Sequence, residues 1–122
     1  RGLPFQSGLG PITREALLAR LKAGEELVVV DVRPAEEYRA AHLPGAVSIP
    51  LEELEQRLRE LPQERQIVAY CRGPYCAFAP EAVRTLRANG YSARQLTDGL
   101  PEWAAAGNDV ESVIAAAPRV DA

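Results

Sequence analysis

Two cysteines, Cys71 and Cys76, are the residues best suited to covalent chemistry, and they stand five positions apart in the segment CRGPYC. Cys71 directly follows the apolar run 67–70. At the end of a strand and ahead of a helix, main-chain N–H groups can point at a thiol, lower its pKa and stabilise a thiolate or a persulfide anion. Arg72 adds a cation, and Gly73 lets the backbone curl around the sulfur. We therefore predict a reactive Cys71, rather than the small buried hydrophobe that a free cysteine often is.

Two cysteines are too few for the disulfide framework of a small secreted domain, so reactive thiols, a redox pair or half of a metal site remain open. A metal site is the weakest of these interpretations. Only His42 could add a nitrogen ligand, and closed structural zinc sites need four nitrogen or sulfur ligands. We predict no metal and no other cofactor.

The elements that must position Cys71 alternate between strands and helices. The branched run 27–32 and the run 67–70 predict strands covered on both faces. Shorter strands are predicted at 47–49 and 93–96, and helices at 12–24, 35–42, 51–61, from the cysteine loop to about residue 89, and around residue 103. This alternation predicts an α/β fold with a parallel sheet between two helical layers, joined by right-handed crossovers. Functional groups of such sheets gather at the carboxyl ends of the strands, where Cys71 lies.

Length and charge limit the classes of function. The 122 residues suffice for one domain. The net charge is −3 and the charges are mixed along the chain, so the sequence predicts no clustered basic face that could bind nucleic acid. No apolar run approaches the roughly 20 residues of a membrane span, and the N-terminus lacks a signal-peptide pattern. We therefore expect a cytoplasmic domain that binds neither nucleic acid nor membrane directly.

The two ends of the chain are expected to lie outside the domain. Residues 1–11 are rich in Gly and Pro and are interpreted as a linker or a cloning remnant, and residues 108–122 as a C-terminal tail. Because the chain opens on Arg1 and contains no methionine, we expect it to be processed or excised from a longer protein.

Three segments carry a resemblance to a known family: DVRPAEEYRAAHLPGAVSIP at 31–50, YCRGPYC at 70–76 and DGLPEW at 98–103. With these motifs in this order, the chain resembles the rhodanese family over residues 12–107. The resemblance implies a three-layer sandwich with about five parallel strands. It also implies a catalytic cysteine at Cys71, which takes a sulfane sulfur from thiosulfate, a persulfide or a polysulfide and passes it to a thiol or cyanide. The loop that would cradle the sulfur comprises Arg72, Gly73, Pro74, Tyr75, Cys76 and Ala77.

The other motif residues are given structural roles by the same resemblance. Asp31 and Arg33 are expected to form a hydrogen-bonded ion pair near the active-site end of the sheet, although a surface pair is the simpler alternative. His42 precedes a tight turn and is expected to hold that turn by hydrogen bonding rather than to act as a general base. Trp103 is expected to anchor the core, with a partner for its N–H.

The loop departs from the common form of the family, in which an Arg or a Thr often stands where this chain has Cys76. The stretch from Cys71 to Gly90 also looks slightly long, and Pro80 suggests that the helix starts late. Related phosphatases close a wider loop with an Arg, whereas Cys76 is followed by Ala77 and Phe78, which argues against phosphatase activity.

The segment CRGPYC is similar to that of rhodanese domains fused to winged-helix regulators of the arsenic-repressor type. This similarity implies a DNA-binding domain outside the present chain. Cys71 would then sense a sulfur species or an oxidant, and Cys76 is a candidate resolving thiol. The alternative is that Cys76 only lines the loop, since a direct bond needs Cα atoms within about 7 Å.

Three functions follow from these interpretations. The first is a thiosulfate sulfurtransferase with a Cys71 persulfide. The second is the sulfur-sensing or redox-sensing domain of a larger regulator that uses Cys71 and Cys76. The third is a catalytically idle binding module, which the intact cysteine loop disfavours.

Overall fold

One parallel sheet organises the protein, whose computed structural model describes residues 10–73 and 75–113. The strands are β1 (Val28–Asp31), β2 (Val47–Ser48), β3 (Ile67–Tyr70) and β4 (Ala93–Gln95). The helices are α1 (Arg14–Lys22), α2 (Ala35–Ala40), α3 (Phe78–Ala88) and α4 (Leu100–Ala105). The strand order is β2, β1, β3, β4. Beside β4, Ile12 forms a parallel bridge with Leu96, which supplies the beginning of a fifth strand. The predicted α/β fold with about five parallel strands is confirmed.

The two central strands are buried on both faces, as their unbroken apolar sequences predict. On one face, Ile67 and Ala69 of β3 pack in a cluster with Leu86 of α3. On the other, Val68 and Tyr70 pack in a second cluster that includes Leu17 of α1 and Trp103 of α4. The alternation of side chains along β3 thus joins two separate cores through one strand.

The segment predicted as an amphipathic α-helix at 51–61 instead forms two 3₁₀ helices, Leu51–Glu53 and Glu55–Glu60. The pairs Leu51 and Leu54, and Leu58 and Leu61, are each three residues apart. A 3₁₀ helix has three residues per turn and brings such pairs to the same side. Leu54 and Leu61 are buried, and Leu51 and Leu58 pack against the same core, so burial favours the tighter winding.

Part of the predicted C-terminal tail lies against the domain. The indole N–H of Trp103 donates to the carbonyl of Asp109 at 2.8 Å, and Glu111 forms an antiparallel bridge with His42. Residues 114–122 of the tail, and residues 1–9 of the predicted linker, lie outside the described residues.

A buried hydrogen-bond network ties the two central strands to the loop before β2. The hydroxyl of Tyr70 donates to Asp31 Oδ2 at 2.7 Å and accepts from the backbone N–H of Leu43 at 3.0 Å. Burial raises the pKa of Tyr70 above its usual range, so this hydroxyl stays a donor. Tyr70 and Asp31 end paired neighbouring strands, and the network therefore fixes the sheet edge from which Cys71 emerges.

Replacing this hydroxyl is expected to destabilise the fold. In Tyr70→Phe, the Leu43 N–H loses its acceptor and Asp31 loses a donor while both remain buried, so we expect the free energy of unfolding to fall by about 1–3 kcal/mol. Urea unfolding measures the change. The matched control is Tyr75→Phe, since Tyr75 is 99% exposed, and it should stay within about 0.5 kcal/mol of the wild type. Equal stability of the two variants would contradict the proposed role of the network.

Candidate active site around Cys71

Cys71 leaves the carboxyl end of β3, the predicted position, but its side chain is turned into the protein. Only 2% of the residue is exposed, and it belongs to the same core cluster as Ala69 and Ala79. Its thiol donates to the carbonyl oxygen of Cys76 at 3.6 Å. The expectation that loop placement keeps Cys71 out of the core is therefore wrong. The loop folds back so that the sulfur packs under it.

The predicted lowering of the Cys71 pKa is also wrong. The pKa of the thiol is raised to about 11, chiefly by burial and also by the hydrogen bond with Cys76. The backbone N–H groups of Ala79 and Gly73 act in the opposite direction, as expected for a sulfur at the start of α3. The amide cradle is thus present at Cys71, but desolvation outweighs it while the thiol is buried.

Cys76 carries the more acidic thiol of the pair. Burial alone would raise its pKa, but hydrogen bonds from Cys71 and from the backbone N–H groups of Arg72 and Phe78 bring it below its ordinary value. The charge of Arg72 acts in the same direction. Cys76 is only half-buried, and both cysteines are free thiols. Because Cys76 has the lower pKa and the greater exposure to solvent, we expect it to react first with a reagent in solution.

Arg72 is held away from the Cys71 sulfur by an ion pair with α2. Its Nη2 donates to Glu37 Oε2 at 2.6 Å, its Nε lies 3.1 Å from both carboxylate oxygens, and the guanidinium lies 5.2 Å from the centre of the Phe78 ring. The hydrogen bonds from Arg72 hold the pKa of the Glu37 carboxyl below its usual value. The side chain of Arg72 therefore clamps the loop to α2 and influences the sulfurs only through its charge, whereas its backbone N–H acts on Cys76 directly. Glu37 was not identified from the sequence, where it is one of many surface-type glutamates.

Asp31 and Arg33 form a buried ion pair behind the loop. Arg33 Nη2 lies 2.6 Å from Asp31 Oδ2, its Nε lies 3.0 Å from Oδ1, and it also donates to the carbonyl of Ala41 at 2.6 Å. Arg33 Nη1 lies 4.0 Å from Glu37, which pairs in turn with Arg72. A chain of alternating charges therefore runs from the end of β1 to the cysteine loop.

His42 takes no part in the cysteine loop. Its Nδ1 lies 2.7 Å from the carbonyl of Tyr38, its ring stacks on the Tyr38 ring with centroids 3.7 Å apart, and its Nε2 lies 3.6 Å from Glu111. The turn after it is held by these two neighbours: Tyr38 donates to Ala46 and Glu111 accepts from Gly45. The predicted direct hydrogen bond from His42 to the turn is replaced by this indirect support.

Gly99 packs directly against the backbone of the cysteine loop, a contact that was not identified from the sequence. A Cβ atom at Gly99 would lie 2.1 Å from the carbonyl oxygen of Arg72 and 2.4 Å from the nitrogen of Gly73. The Gly99 N–H donates to Glu102 Oε1 at 2.9 Å, and Glu102 also lies beside Gly73. The motif DGLPEW therefore supports the loop through a close backbone approach. A glycine directly before a predicted helix was the available signal.

The outer face of the loop opens on a shallow cavity lined by Arg72, Gly73, Tyr75, Cys76, Ala77 and Phe78. Tyr75 is almost fully exposed at its rim, and Ala77 caps α3. Pro74 lies outside the described residues. Among the residues that the structure describes, no cluster of three or more His, Cys, Asp or Glu side chains could hold a metal ion, and no helix could span a membrane.

The family model of the rhodanese-like domain matches residues 13–106 of the chain. The chain belongs to the rhodanese-like domain family. This rhodanese-like domain is 55% identical over 100 residues to the HTH-type transcriptional regulator Rv0324 of Mycobacterium tuberculosis, and the match covers 82% of this chain but only 44% of the regulator. It is 31% identical over 94 residues to a sulfurtransferase of Allochromatium vinosum, a match that covers 76% of this chain and 86% of that protein.

Solved structures agree with this assignment. The crystal structure of the BH2092 protein from Bacillus halodurans superposes with a TM-score of 0.80 at 31% identity, and the match covers 90% of this chain and 82% of that one. The chain spans about half the length of curated relatives such as the regulator. A sulfur-transfer role is supported by the family and by relatives named for sulfur carriage and transfer.

The two thiols of this rhodanese-like domain should differ in their dependence on pH. The thiolate is the form that alkylates, and with a pKa of about 11 the Cys71 thiol is almost entirely protonated at neutral pH. With iodoacetamide at neutral pH, we expect Cys76 to be labelled first, and labelling of Cys71 to rise roughly tenfold per pH unit up to about its pKa. Peptide mapping by mass spectrometry reads both sites. Faster labelling of Cys71 at neutral pH would contradict the assignment.

Adding one methyl group at Gly99 should disturb the cysteine loop. The backbone of Gly99 (φ −104°, ψ −170°) suits any residue, so in Gly99→Ala only the overlap with Arg72 and Gly73 costs energy. We expect a loss of about 1–3 kcal/mol in the free energy of unfolding and a changed alkylation rate at Cys71. Gly10→Ala is the control, because its added Cβ would contact nothing within 4 Å. If both variants behave like the wild type, Gly99 does not brace the loop.

Proposed function

We propose that this domain is a sulfurtransferase that carries a sulfane sulfur as a persulfide on Cys71. The principal support is the position of the Cys71 sulfur at the end of a central strand, where the backbone N–H groups of Gly73 and Ala79 act on it. Amides so placed stabilise the anion of a thiol or of a persulfide. Membership of the rhodanese-like family supports the same chemistry.

The reaction has two balanced steps. In the first, the Cys71 thiolate attacks the outer sulfur of thiosulfate, the S–S bond of thiosulfate breaks, and sulfite leaves with the electron pair. In the second, cyanide or an acceptor thiolate attacks the outer sulfur of the persulfide, and Cys71 leaves as the thiolate. Persulfides and polysulfides can replace thiosulfate because they also offer a sulfur attached to a good leaving group.

The buried Cys71 thiol must lose its proton before the first step. Cys76 is the nearby base, since the Cys71 thiol donates to its backbone carbonyl and Cys76 is the cysteine whose pKa is lowered. Transfer of the proton to Cys76 moves the negative charge inward to the sulfur beneath the amides of Gly73 and Ala79. The shared proton makes nucleophilic attack by Cys71 accessible near neutral pH despite its burial.

Loading with thiosulfate or inorganic polysulfide tests the proposal. In the Cys76→Ser protein, we expect an adduct with the mass of one sulfur atom on Cys71, formed more slowly than in the wild type because the base is gone. In Cys71→Ser, we expect no adduct at that position, and thiosulfate-to-cyanide transfer should fall to background. Intact-protein mass spectrometry and thiocyanate formation are the measurements.

The Cys76→Ser protein is also the control for the loss of one thiol from the loop. If neither donor places a sulfur on Cys71 in this variant, the proposed function is wrong. Undiminished cyanide-dependent turnover by Cys71→Ser would be equally decisive against it.

A second candidate function is sulfur sensing within a larger regulator. It is favoured by the 55% identity to a transcriptional regulator of which this chain covers only 44%. The sequence of the complete gene tests it: an adjoining winged-helix segment is expected, and a gene encoding the rhodanese-like domain alone would count against it. We infer that either function operates in the cytoplasm, where reductants keep neighbouring cysteines such as Cys71 and Cys76 in the free thiol form.

A further inference from the structure

Two sulfur atoms share one amide-lined loop. The Cys71 thiol donates to the backbone carbonyl oxygen of Cys76 at 3.6 Å, and both cysteines pack in the same core cluster. The Cys76 N–H donates to the carbonyl of Gly73 at 3.2 Å, and this turn returns the chain toward Cys71. A second cysteine therefore lies beside the sulfur that is to carry the persulfide, with its main-chain carbonyl 3.6 Å from that sulfur.

We propose that Cys76 resolves a persulfide on Cys71, forming an intramolecular disulfide between the two cysteines and releasing hydrosulfide. This inference rests on the proposed function, because it needs the persulfide as its starting state. It identifies an internal thiol as the second reactant and a reductive release of sulfur as the outcome, in place of transfer to an external acceptor.

The step balances without an external oxidant. The Cys76 thiolate attacks the Sγ atom of Cys71, a bond forms between these two sulfurs, and the bond from Sγ to the outer sulfur breaks. The outer sulfur leaves with the bonding electron pair and its proton as hydrosulfide. The sulfane sulfur is thereby reduced and the two cysteine sulfurs are oxidised, so the donor that loads the domain is also the oxidant.

The surroundings of the two thiols favour attack by Cys76. The backbone N–H groups of Arg72 and Phe78 and the charge of Arg72 stabilise Cys76 as a thiolate. The Sγ atom of Cys71 is buried, so acceptors from solvent reach the outer sulfur more easily than the inner one. Cys76 belongs to the same loop, and its carbonyl oxygen lies 3.6 Å from the Cys71 sulfur, so its thiol is tethered close to the inner sulfur.

The disulfide would stop further loading, since neither cysteine would then be a nucleophile. An external dithiol is required to return both cysteines to the free state. The domain would therefore report exposure to sulfane sulfur as a lasting covalent change in the loop, until a reductant reverses it.

Anaerobic loading of the wild-type protein with inorganic polysulfide tests the inference. After removal of the donor, we expect a protein lighter by two hydrogen atoms, a peptide that links Cys71 to Cys76, and about one equivalent of released hydrosulfide per disulfide. A dithiol should restore the starting mass. A sample without donor, kept under the same conditions, must stay reduced, which excludes oxidation by residual air.

The variants separate this inference from the proposed function. Cys76→Ser and Cys76→Ala should both acquire the one-sulfur adduct on Cys71, more slowly than the wild type because the base is gone, and keep it without releasing hydrosulfide. Two different replacements guard against misfolding of either. If these variants never acquire the adduct, the proposed function itself fails. If they acquire it, three outcomes in the wild type overturn the inference alone: a stable persulfide on Cys71, a persulfide on Cys76, or a linked peptide that still contains the extra sulfur.

Discussion

Removal of the Cys71 sulfur from water is the constraint on which the chemistry of this domain depends. Desolvation is the main reason that the pKa of the thiol is raised to about 11, since the amides of Gly73 and Ala79 offset it only in part. The loop therefore cannot easily hold its negative charge on Cys71 while that thiol is buried, and the charge is held by the more exposed Cys76. A buried nucleophile with an acidic neighbour stays protected from general reagents and becomes reactive when the proton moves within the pair.

The rest of the fold fixes the backbone of the loop against this pair. From one side, the chain of charges from Asp31 through Arg33 and Glu37 reaches Arg72. On another side, Gly99 approaches the peptide bond between Arg72 and Gly73 so closely that a residue with a Cβ atom would not fit at position 99. The exposed ion pair between Glu37 and Arg72 contributes little stability by itself, because solvent screens it. Its importance is geometric: it keeps the guanidinium beside Phe78 and leaves the amides free to face the sulfurs.

The sequence predicted the fold class and the position of the cysteine loop, because both depend on local patterns. The run 67–70 is apolar at every position, and such a strand must be covered on both faces, which places the next residue at the carboxyl edge of the sheet. The direction of the Cys71 side chain could not be predicted in the same way. It depends on how the loop folds back on Gly99, a contact between residues far apart in the chain. The partnership of Glu37 with Arg72 is equally non-local.

A thiol at position 76 changes what the loop can do, compared with the Arg or Thr that the resemblance to the family leads one to expect there. A cation can only stabilise the anionic persulfide and hold it for an external acceptor. A thiol can instead take the place of that acceptor, because its thiolate is a nucleophile that can attack the persulfide from within the loop. A positive charge is still present at Arg72, which pairs with Glu37 and lowers the pKa of Cys76. On the proposed mechanism, the loop that would cradle a sulfur anion also holds the group that would discharge it, and the burial of Cys71 favours this internal reactant over one from solvent.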